Sequence, residues 1–171
     1  MGETFRVILL IALTAAFLTT GILLLSWWME PLRRLRRLLL KTMGRVADID
    51  ALSPAEGRAA GLDLNEGQIA ILWRGGGHGL IYAADEVEGA EIIVDGHVVS
   101  RVRRHAARKD LDIAVPDAEH VVLRLMFADS GNPEFELALW DVVQTAPTAS
   151  PAEALRLGRR WLSHVEGLMR L

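Results

Sequence analysis

The run Gly-Gly-Gly-His-Gly at 75–79 comes nearest, within this sequence, to a phosphate-binding or catalytic loop. A phosphate-binding loop continues with Lys-Ser or Lys-Thr and then a helix, whereas the residues after this run predict a β-strand. An oxyanion hole built from such glycines serves a serine in a Gly-x-Ser-x-Gly turn, which the sequence lacks. We therefore interpret 75–79 as a flexible hairpin loop.

The five histidines and the absence of cysteine restrict metal and covalent chemistry. None of the histidines, at 78, 97, 105, 120 and 164, has the H-x-H or H-E-x-x-H spacing that places two imidazoles on one metal ion. Without cysteine, disulfides, thiolate nucleophiles and cysteine-ligated zinc are excluded. The sequence therefore predicts no catalytic residue, no metal site and no cofactor.

A basic cluster between 101 and 109 is the next group of residues that could bind a partner. Its members are Arg101, Arg103, Arg104, Arg108 and Lys109. One interpretation is a solvated loop balanced by the acidic domain around it. The other is a docking patch for an acidic partner protein or for lipid headgroups. Aromatic residues that would stack on bases are missing from the cluster, which argues against nucleic acid.

Charge divides unevenly along the chain. Residues 32–45 carry six cations and no acid, while 46–171 carry 12 Lys or Arg and 20 Asp or Glu, a net charge of −8. A domain this acidic repels nucleic acid, so no nucleic-acid partner is expected. The roughly 125 residues beyond the basic segment suffice for one modest domain.

The elements that would position these residues begin with an uncharged run of 22 residues at 7–28. At about 1.5 Å per residue, a helix of this length measures about 33 Å, close to the roughly 30 Å hydrocarbon core of a bilayer. Trp27 and Trp28 stand where a signal peptide would need small residues for cleavage. The run predicts a retained single-pass transmembrane helix, with 1–6 outside the cell membrane.

Residues 29–47 predict a basic amphipathic juxtamembrane helix. Because cationic flanks stay in the cytoplasm, they place the C-terminal domain there, at the inner (plasma) membrane of a bacterial cell, with the N-terminus outside. Its cations would contact anionic lipid, with two tryptophans at headgroup level, although a simple topology signal explains the same charges. The residues concerned are Trp27, Trp28, Arg33, Arg34, Arg36, Arg37, Lys41 and Arg45.

Small residues recur every four positions in the apolar run, at Ala12, Ala16 and Thr20. This spacing allows two helices to approach closely, which would make a second copy of the chain a partner. The ordinary composition of an apolar helix explains the same spacing.

A mainly-β soluble domain is predicted at 68–171, after a linker at 48–67. In the linker, Ser53 and Glu56 have the spacing of a capping box and predict one short helix. Asp95-Gly96 is a two-residue hairpin signal. Seven antiparallel strands are predicted from runs of apolar residues divided by turns, at 69–73, 80–83, 87–94, 97–102, 111–115, 120–128 and 134–143.

The chain closes with a predicted amphipathic helix at 151–171. Ser150 has the character of an N-cap, Pro151 suits the first helical position, and Glu153 completes a capping box. Apolar residues including Trp161 form one stripe along this helix. An isolated helix of this length is marginal in water, so we expect the stripe to pack on the β domain.

This order of elements resembles a pleckstrin-homology-like (PH-like) domain over about 68–171. The resemblance lies in the strand count, the Asp95-Gly96 hairpin and the terminal helix with Trp161 facing inward. It implies a barrel or sandwich of two bent sheets closed by the helix, and a tendency to bind proteins. Lipid-binding members carry clustered basic residues in the first strand pair and its loop, where this sequence offers only Arg74 and His78.

Taken together, these features predict a single-pass, membrane-anchored, non-catalytic adaptor or accessory subunit that presents a PH-like domain to an unidentified protein partner. The alternative is a membrane-tethered sensor or enzyme with a small-molecule pocket in the β domain. A polar cavity with converging carboxylates or histidines would favour the alternative. A sealed core beside an exposed apolar groove would favour the adaptor.

Overall fold

A computed structural model describes residues 13–14, 17–21, 30–110, 117–143, 148 and 150–170 of the chain. The chain forms two compact units, Met1–Arg34 and Leu35–Leu171. In the first unit, residues 13–14 and 17–21 are helical and exposed. The second unit is mainly β, with two antiparallel sheets and a C-terminal helix.

The prediction of a transmembrane helix at 7–28 is wrong. Within the described part of the chain, no helix combines the length and apolar composition that crossing a bilayer requires. This finding contradicts the predicted fold class in its membrane-spanning part, and with it the single-pass topology and the inner-membrane location. Of the segment itself, 13–14 and 17–21 are described. Trp27, Trp28, Ala12 and Ala16 lie outside the described residues, while Thr20 lies in the second helical stretch.

Helix α1 (Pro31–Met43) falls within the predicted basic helix, but its apolar stripe is not free to contact lipid. Leu35, Leu39 and Met43 recur at four-residue spacing and are buried. A Cβ added at Gly61 would lie 2.8 Å from Leu39 Cδ2 and 2.9 Å from Met43 Sδ, so the stripe packs closely on a β-strand. The apolar stripe of α1 is thus part of the protein interior.

Sheet A is a four-stranded antiparallel meander between 49 and 83, with strands in sequence order. Its turns recur every ten residues, and Glu-Gly pairs at 56–57 and 66–67 occupy two of them. Gly57 and Gly67 have φ of 64° and 65°, a left-handed conformation that favours glycine. The strands are β1 (Ile49–Ser53), β2 (Arg58–Asp63), β3 (Gln68–Trp73) and β4 (His78–Ala83).

The linker predicted at 48–67, with its short helix, is therefore incorrect, because β1 and β2 occupy it. The Ser53–Glu56 spacing belongs to the turn between the two strands. A helix continuing through Gly57 is incompatible with its positive φ. Ala59 and Ala60 are completely buried, so pairing with neighbouring strands overrides their intrinsic helix preference.

Sheet B contains five antiparallel strands in the order β7-β6-β5-β8-β9. A 3₁₀ turn, Ala84–Glu86, joins it to β4. Asp95 and Gly96 have φ of 47° and 81°, and the hairpin predicted there is confirmed. The described strands number nine rather than seven, and the strand predicted at 111–115 lies outside the described residues. Sheet B consists of β5 (Val87–Val94), β6 (His97–Arg103), β7 (Lys109–Asp110), β8 (His120–Phe127) and β9 (Glu134–Asp141).

Helix α2 (Pro151–Leu168) confirms the predicted C-terminal amphipathic helix and packs across sheet B. Ser150 Oγ accepts a hydrogen bond from the Glu153 backbone N–H at 3.2 Å, which satisfies a donor that the first helical turn leaves without a partner. Trp161 is completely buried, and the inward face of α2 joins the apolar faces of both sheets in one core. This continuous core holds the two sheets and α2 together.

Candidate interaction surfaces

A shallow, open concavity of about 280 Å³ lies between α1 and β1, and we call it the α1 groove. Leu40 is 43% exposed and Val46 78% exposed, so two large apolar side chains face solvent here. At the rim, Arg36 Nε donates a hydrogen bond to Asp50 Oδ2 at 2.9 Å. The groove is lined by Arg36, Leu39, Leu40, Val46, Ala47 and Asp50.

Several cations predicted to face lipid are paired with acidic side chains instead. Arg33 Nε lies 3.0 Å from Glu30 Oε2, and Arg36 pairs with Asp50. Arg45 Nε lies 3.0 Å from Asp63 Oδ2, a buried carboxylate oxygen. These three arginines therefore form ion pairs within the protein and stabilise the structure around them. Arg34, Arg37 and Lys41 are exposed.

Asp63 shows why Arg45 is structural. Its Oδ1 accepts backbone hydrogen bonds from Asn65 at 2.9 Å and Glu66 at 3.1 Å, which closes the turn between β2 and β3. Its Oδ2 forms an ion pair with Arg45, and Arg45 Nη1 donates a hydrogen bond to Glu66 Oε1 at 3.2 Å. A buried carboxylate needs such partners because an uncompensated charge is costly to bury. Arg45 thus fastens the segment after α1 to sheet A.

The basic cluster predicted at 101–109 is divided among three sites, and its first two members bind Glu91. Glu91 is 1% exposed, although it sits in the otherwise apolar strand β5. Its Oε1 lies 2.6 Å from Arg101 Nε and 3.3 Å from Arg103 Nη2, while its Oε2 lies 3.3 Å from Arg124 Nη1. Three guanidinium groups therefore surround one buried carboxylate.

Strand register explains this arrangement. Glu91 is directly opposite Arg101 on one side and Arg124 on the other, and Arg124 is opposite Glu136. The charges form a row across four strands on one face of sheet B, with alternating signs. Arg124 Nη2 donates to Glu136 Oε1 at 2.6 Å, and this hydrogen bond raises the pKa of the Arg124 guanidinium further.

Sequence reasoning missed Glu91 and Arg124 as members of this row. The available signal was a single carboxylate inside the apolar run 87–94, since such a group is rarely buried without a cation. Finding that cation requires the register of β5 against β6 and β8. The β5–β6 register is shifted by an irregularity between Ile92 and Ile93, and the β5–β8 register depends on contacts between strands that are distant in the sequence.

Arg104 and Arg108 occupy separate positions. Arg104 donates to the Val87 carbonyl oxygen from Nη2 at 2.8 Å and also to that of Ala84, so it ties β6 to the junction between the sheets. Arg108 Nε donates to Asp110 Oδ2 at 2.6 Å, and Arg108 Nη1 donates to Ser163 Oγ in α2 at 3.1 Å. All four arginines of the cluster therefore have intramolecular partners, and Lys109 is exposed. Docking of an acidic partner at these residues stays a prediction.

Asp110 completes the Arg108 site. Burial raises the pKa of the Asp110 carboxyl, but hydrogen bonds from Arg108 and Ser100 outweigh burial and hold that pKa below its usual value. The carboxylate is thus kept ionised between its two donors. This pairing anchors the short strand β7 beside β6 and α2.

The histidines and the glycine run take structural positions. His78 stacks on Trp73, with ring centroids 5.9 Å apart, and His120 Nδ1 lies 3.7 Å from Asp141 Oδ1. Over the described ranges, no three His, Asp or Glu side chains form a group that could hold a metal ion. Residues 75–77 of the run lie in the β3–β4 turn, and His78 and Gly79 begin β4. The turn is packed, because a Cβ at Gly76 would overlap the Leu38 side chain of α1.

Comparison with known proteins finds no matching family model, no matching curated protein and no matching solved structure.

Proposed function

We propose that this chain is a non-catalytic interaction module, an adaptor or accessory subunit of PH-like architecture, which binds an acidic amphipathic segment of a partner protein in the α1 groove. The single observation that carries the proposal is an exposed apolar groove beside a continuous, buried β core. A four-stranded meander, a second antiparallel sheet and a closing helix support the PH-like resemblance.

The apolar part of the groove suits one or two side chains of a partner. Leu40 and Val46 are exposed, and Leu39 forms the buried floor. Covering a Leu or Val side chain fully contributes about 1.5–3 kcal/mol, and these two begin partly covered. A partner that inserts one aliphatic or aromatic residue here would gain a central contact of the kind that dominates many interfaces.

The charges beside the groove favour an acidic partner. Arg36 and Leu40 line the groove, and Arg37 and Lys41 each follow one of them in α1. A row of cations therefore runs along the helix beside the groove. The rest of the domain, 46–171, carries a net charge of −8. An acidic segment is therefore repelled elsewhere and attracted to α1, which speeds association at low salt.

Site-specific photo-crosslinking in native cells tests the proposal. A benzophenone amino acid at Leu40 should capture one discrete protein, and mass spectrometry should locate the crosslink in an acidic, amphipathic segment. The matched control is the same amino acid at Val143, which is 86% exposed and follows β9 of sheet B rather than lining the α1 groove. Equal capture at both positions, or capture only of lipid at Leu40, would overturn the proposal.

The captured segment then allows a direct affinity measurement. As a synthetic peptide, it should bind the full chain with a Kd that Leu40→Asp raises at least tenfold. Lys41→Glu should slow association and reduce its salt dependence, because Lys41 contributes through long-range attraction. Unchanged affinity in Leu40→Asp would assign the captured protein to another surface.

A further inference from the structure

Among the described strands, β4 is an edge of sheet A, because it ends the strand order β1-β2-β3-β4. Its sequence, His-Gly-Leu-Ile-Tyr-Ala, has no Asp, Glu, Lys, Arg or Pro. Ile81 is 44% exposed on this strand. We propose that β4 pairs antiparallel with β4 of a second copy of this chain, about a two-fold axis at Ile81, and joins two A sheets into one.

The other edges among the described strands carry the features that prevent such pairing. Strand β7 has two residues, both charged, and β9 carries acidic residues at three positions, Glu134, Glu136 and Asp141. Strand β1 contains Asp50 and packs against β9. Short length, charge and coverage are the usual protections of a sheet edge. In the described part of the chain, β4 has no charged residue within it and no further strand paired with it, and only the Glu86 side chain occupies its edge, at Ala83.

Backbone direction identifies the residues that would pair. The Ala83 N–H donates to Glu86 Oε2 at 2.8 Å, so it points away from β3. Alternate residues of an antiparallel strand direct their N–H and C=O groups to the same side. Gly79 and Ile81 therefore also present their backbone groups to the open side of β4.

With a two-fold axis through the Ile81 pair, the backbone N–H and C=O groups on the open side of β4 in one copy would face the same groups of the other copy. Ile81 would exchange both backbone hydrogen bonds with Ile81 of the other copy. Gly79 would lie opposite Ala83, and the Ala83 N–H would leave Glu86 Oε2 to pair with the Gly79 carbonyl oxygen. The two Ile81 side chains would then meet across the axis as a directly opposed pair, which covers the apolar surface exposed in one copy. Such an interface is self-complementary, as two-fold symmetry requires.

Charge complementarity points to a second copy as the occupant of the edge. Arg74 lies in the turn before β4, where its carbonyl oxygen accepts a hydrogen bond from the Gly77 N–H at 3.2 Å. Asp85 and Glu86 follow the other end of the strand. All three side chains are exposed. Antiparallel pairing brings the basic end of each copy beside the acidic end of the other, and the two-fold axis repeats this contact.

The absence of native cysteine makes the pairing directly measurable. Opposed residues that exchange backbone hydrogen bonds have Cα atoms about 5.5 Å apart, within the range for a disulfide. In the full chain, Ile81→Cys should form a disulfide-linked dimer under mild oxidation at micromolar concentration. The matched control, Val143→Cys, should crosslink at least tenfold more slowly, because it is exposed but lies off the axis.

A charge swap tests the register. In the Ile81→Cys chain, Arg74→Glu should slow disulfide formation several-fold, because like charges would then face each other across the axis. Adding Asp85→Arg should restore the rate, because positions 74 and 85 again carry opposite charges. Equal rates for Ile81→Cys and Val143→Cys would overturn the proposal. Fast crosslinking that the swap leaves unchanged would overturn the two-fold register and its charge contacts.

Discussion

Glu91 lies directly opposite Arg124 on neighbouring strands of sheet B, with Oε2 3.3 Å from Nη1, and almost none of its surface reaches solvent. Arg101 and Arg103 approach the other carboxylate oxygen. A carboxylate buried in this way is retained only because the guanidinium groups replace the water it has lost. The Glu91 side chain therefore helps to fix which residues of β6, β5 and β8 lie opposite one another.

Replacing Glu91 with Gln should lower the free energy of unfolding by about 2 kcal/mol. Removing one partner of a fully buried ion pair costs about 3–5 kcal/mol, and the cost is smaller here because the three arginines are partly exposed. Urea denaturation of Glu91→Gln measures the loss. Glu88→Gln, an exposed position on the same strand, should stay within about 0.5 kcal/mol of the parent chain. Equal midpoints for the two variants would contradict the structural role of Glu91.

Tyr82 is predicted to titrate far above an ordinary tyrosine. Burial and a 3.0 Å hydrogen bond to Asp129 raise the pKa of Tyr82 to about 12 from its usual 10. Because the folded state holds this proton more tightly than the unfolded state, its contribution to stability is complete below about pH 10 and is lost as the pH rises towards about 12.

The chain contains one tyrosine, so its absorbance at alkaline pH reports Tyr82 alone. The titration midpoint should be near 12 in the folded chain and near 10 in denaturant, with tryptophan fluorescence confirming the folded state in the same sample. Tyr82→Phe should keep the stacking on Phe127, at 3.9 Å between ring centroids, and remove the difference in alkaline stability. A folded-state midpoint near 10 would show that the hydroxyl is not held by Asp129.

Local signals in the sequence predicted the elements that local geometry determines. The Ser150 cap, the Asp95-Gly96 hairpin and the stripe through Trp161 each involve residues within a few positions of one another, and each is found. Strands β1 and β2 were missed because the Ser53–Glu56 spacing imitates a helix start. Their small alanines carry little β preference until neighbouring strands bury them.

Contacts between distant segments explain the remaining differences. The stripe of α1 has the same pattern whether it meets lipid or a sheet, and only the packing of Leu39 near Gly61 distinguishes the two. The basic residues at 101–109 resemble one patch in the sequence, but strand register sends Arg101 to Glu91 and loop geometry sends Arg108 to Asp110. Glu91 lies on the neighbouring strand β5, whereas Asp110 is adjacent to the cluster in the sequence and was overlooked there.

The close approach of α1 to the β3–β4 turn predicts a large penalty for a side chain at Gly76. Gly76→Ala would place a non-glycine residue at φ 82° and would overlap Leu38. Gly96 provides the control, since its φ is 81° and nothing lies within 4 Å of an added Cβ. Both variants lose about 1 kcal/mol through the backbone conformation. Gly76→Ala should lose up to about 1 kcal/mol more, because the tip of the Leu38 side chain must move aside.

A double-mutant cycle assigns that difference to the helix. Combining Gly76→Ala with Leu38→Ala should recover most of the extra loss, because the smaller side chain leaves room for the new methyl group. Strictly additive losses in urea denaturation would show that α1 does not press on the turn in solution.

Trp161 should be the single largest side-chain contribution of α2 to stability. It is completely buried in the core shared by both sheets, and an indole buries more apolar area than any other side chain of this helix. Trp161→Ala should therefore lower the free energy of unfolding by about 3–5 kcal/mol, a large part of what a domain of this size possesses. Thermal melts of the fragment 31–171 measure the effect. The fragment keeps the whole of α1, whose residues from Leu35 onward belong to the second compact unit.

Arg160→Ala is the matched control for this substitution. Arg160 precedes Trp161 in α2 and is exposed, so its loss should leave the melting temperature within a few degrees of the parent chain. If α2 instead docked on a partner and left its stripe free in the isolated chain, Trp161→Ala would also melt at the parent temperature. A fall confined to Trp161→Ala identifies the helix as the closing element of the core, whereas equal melting temperatures for all three chains would contradict it.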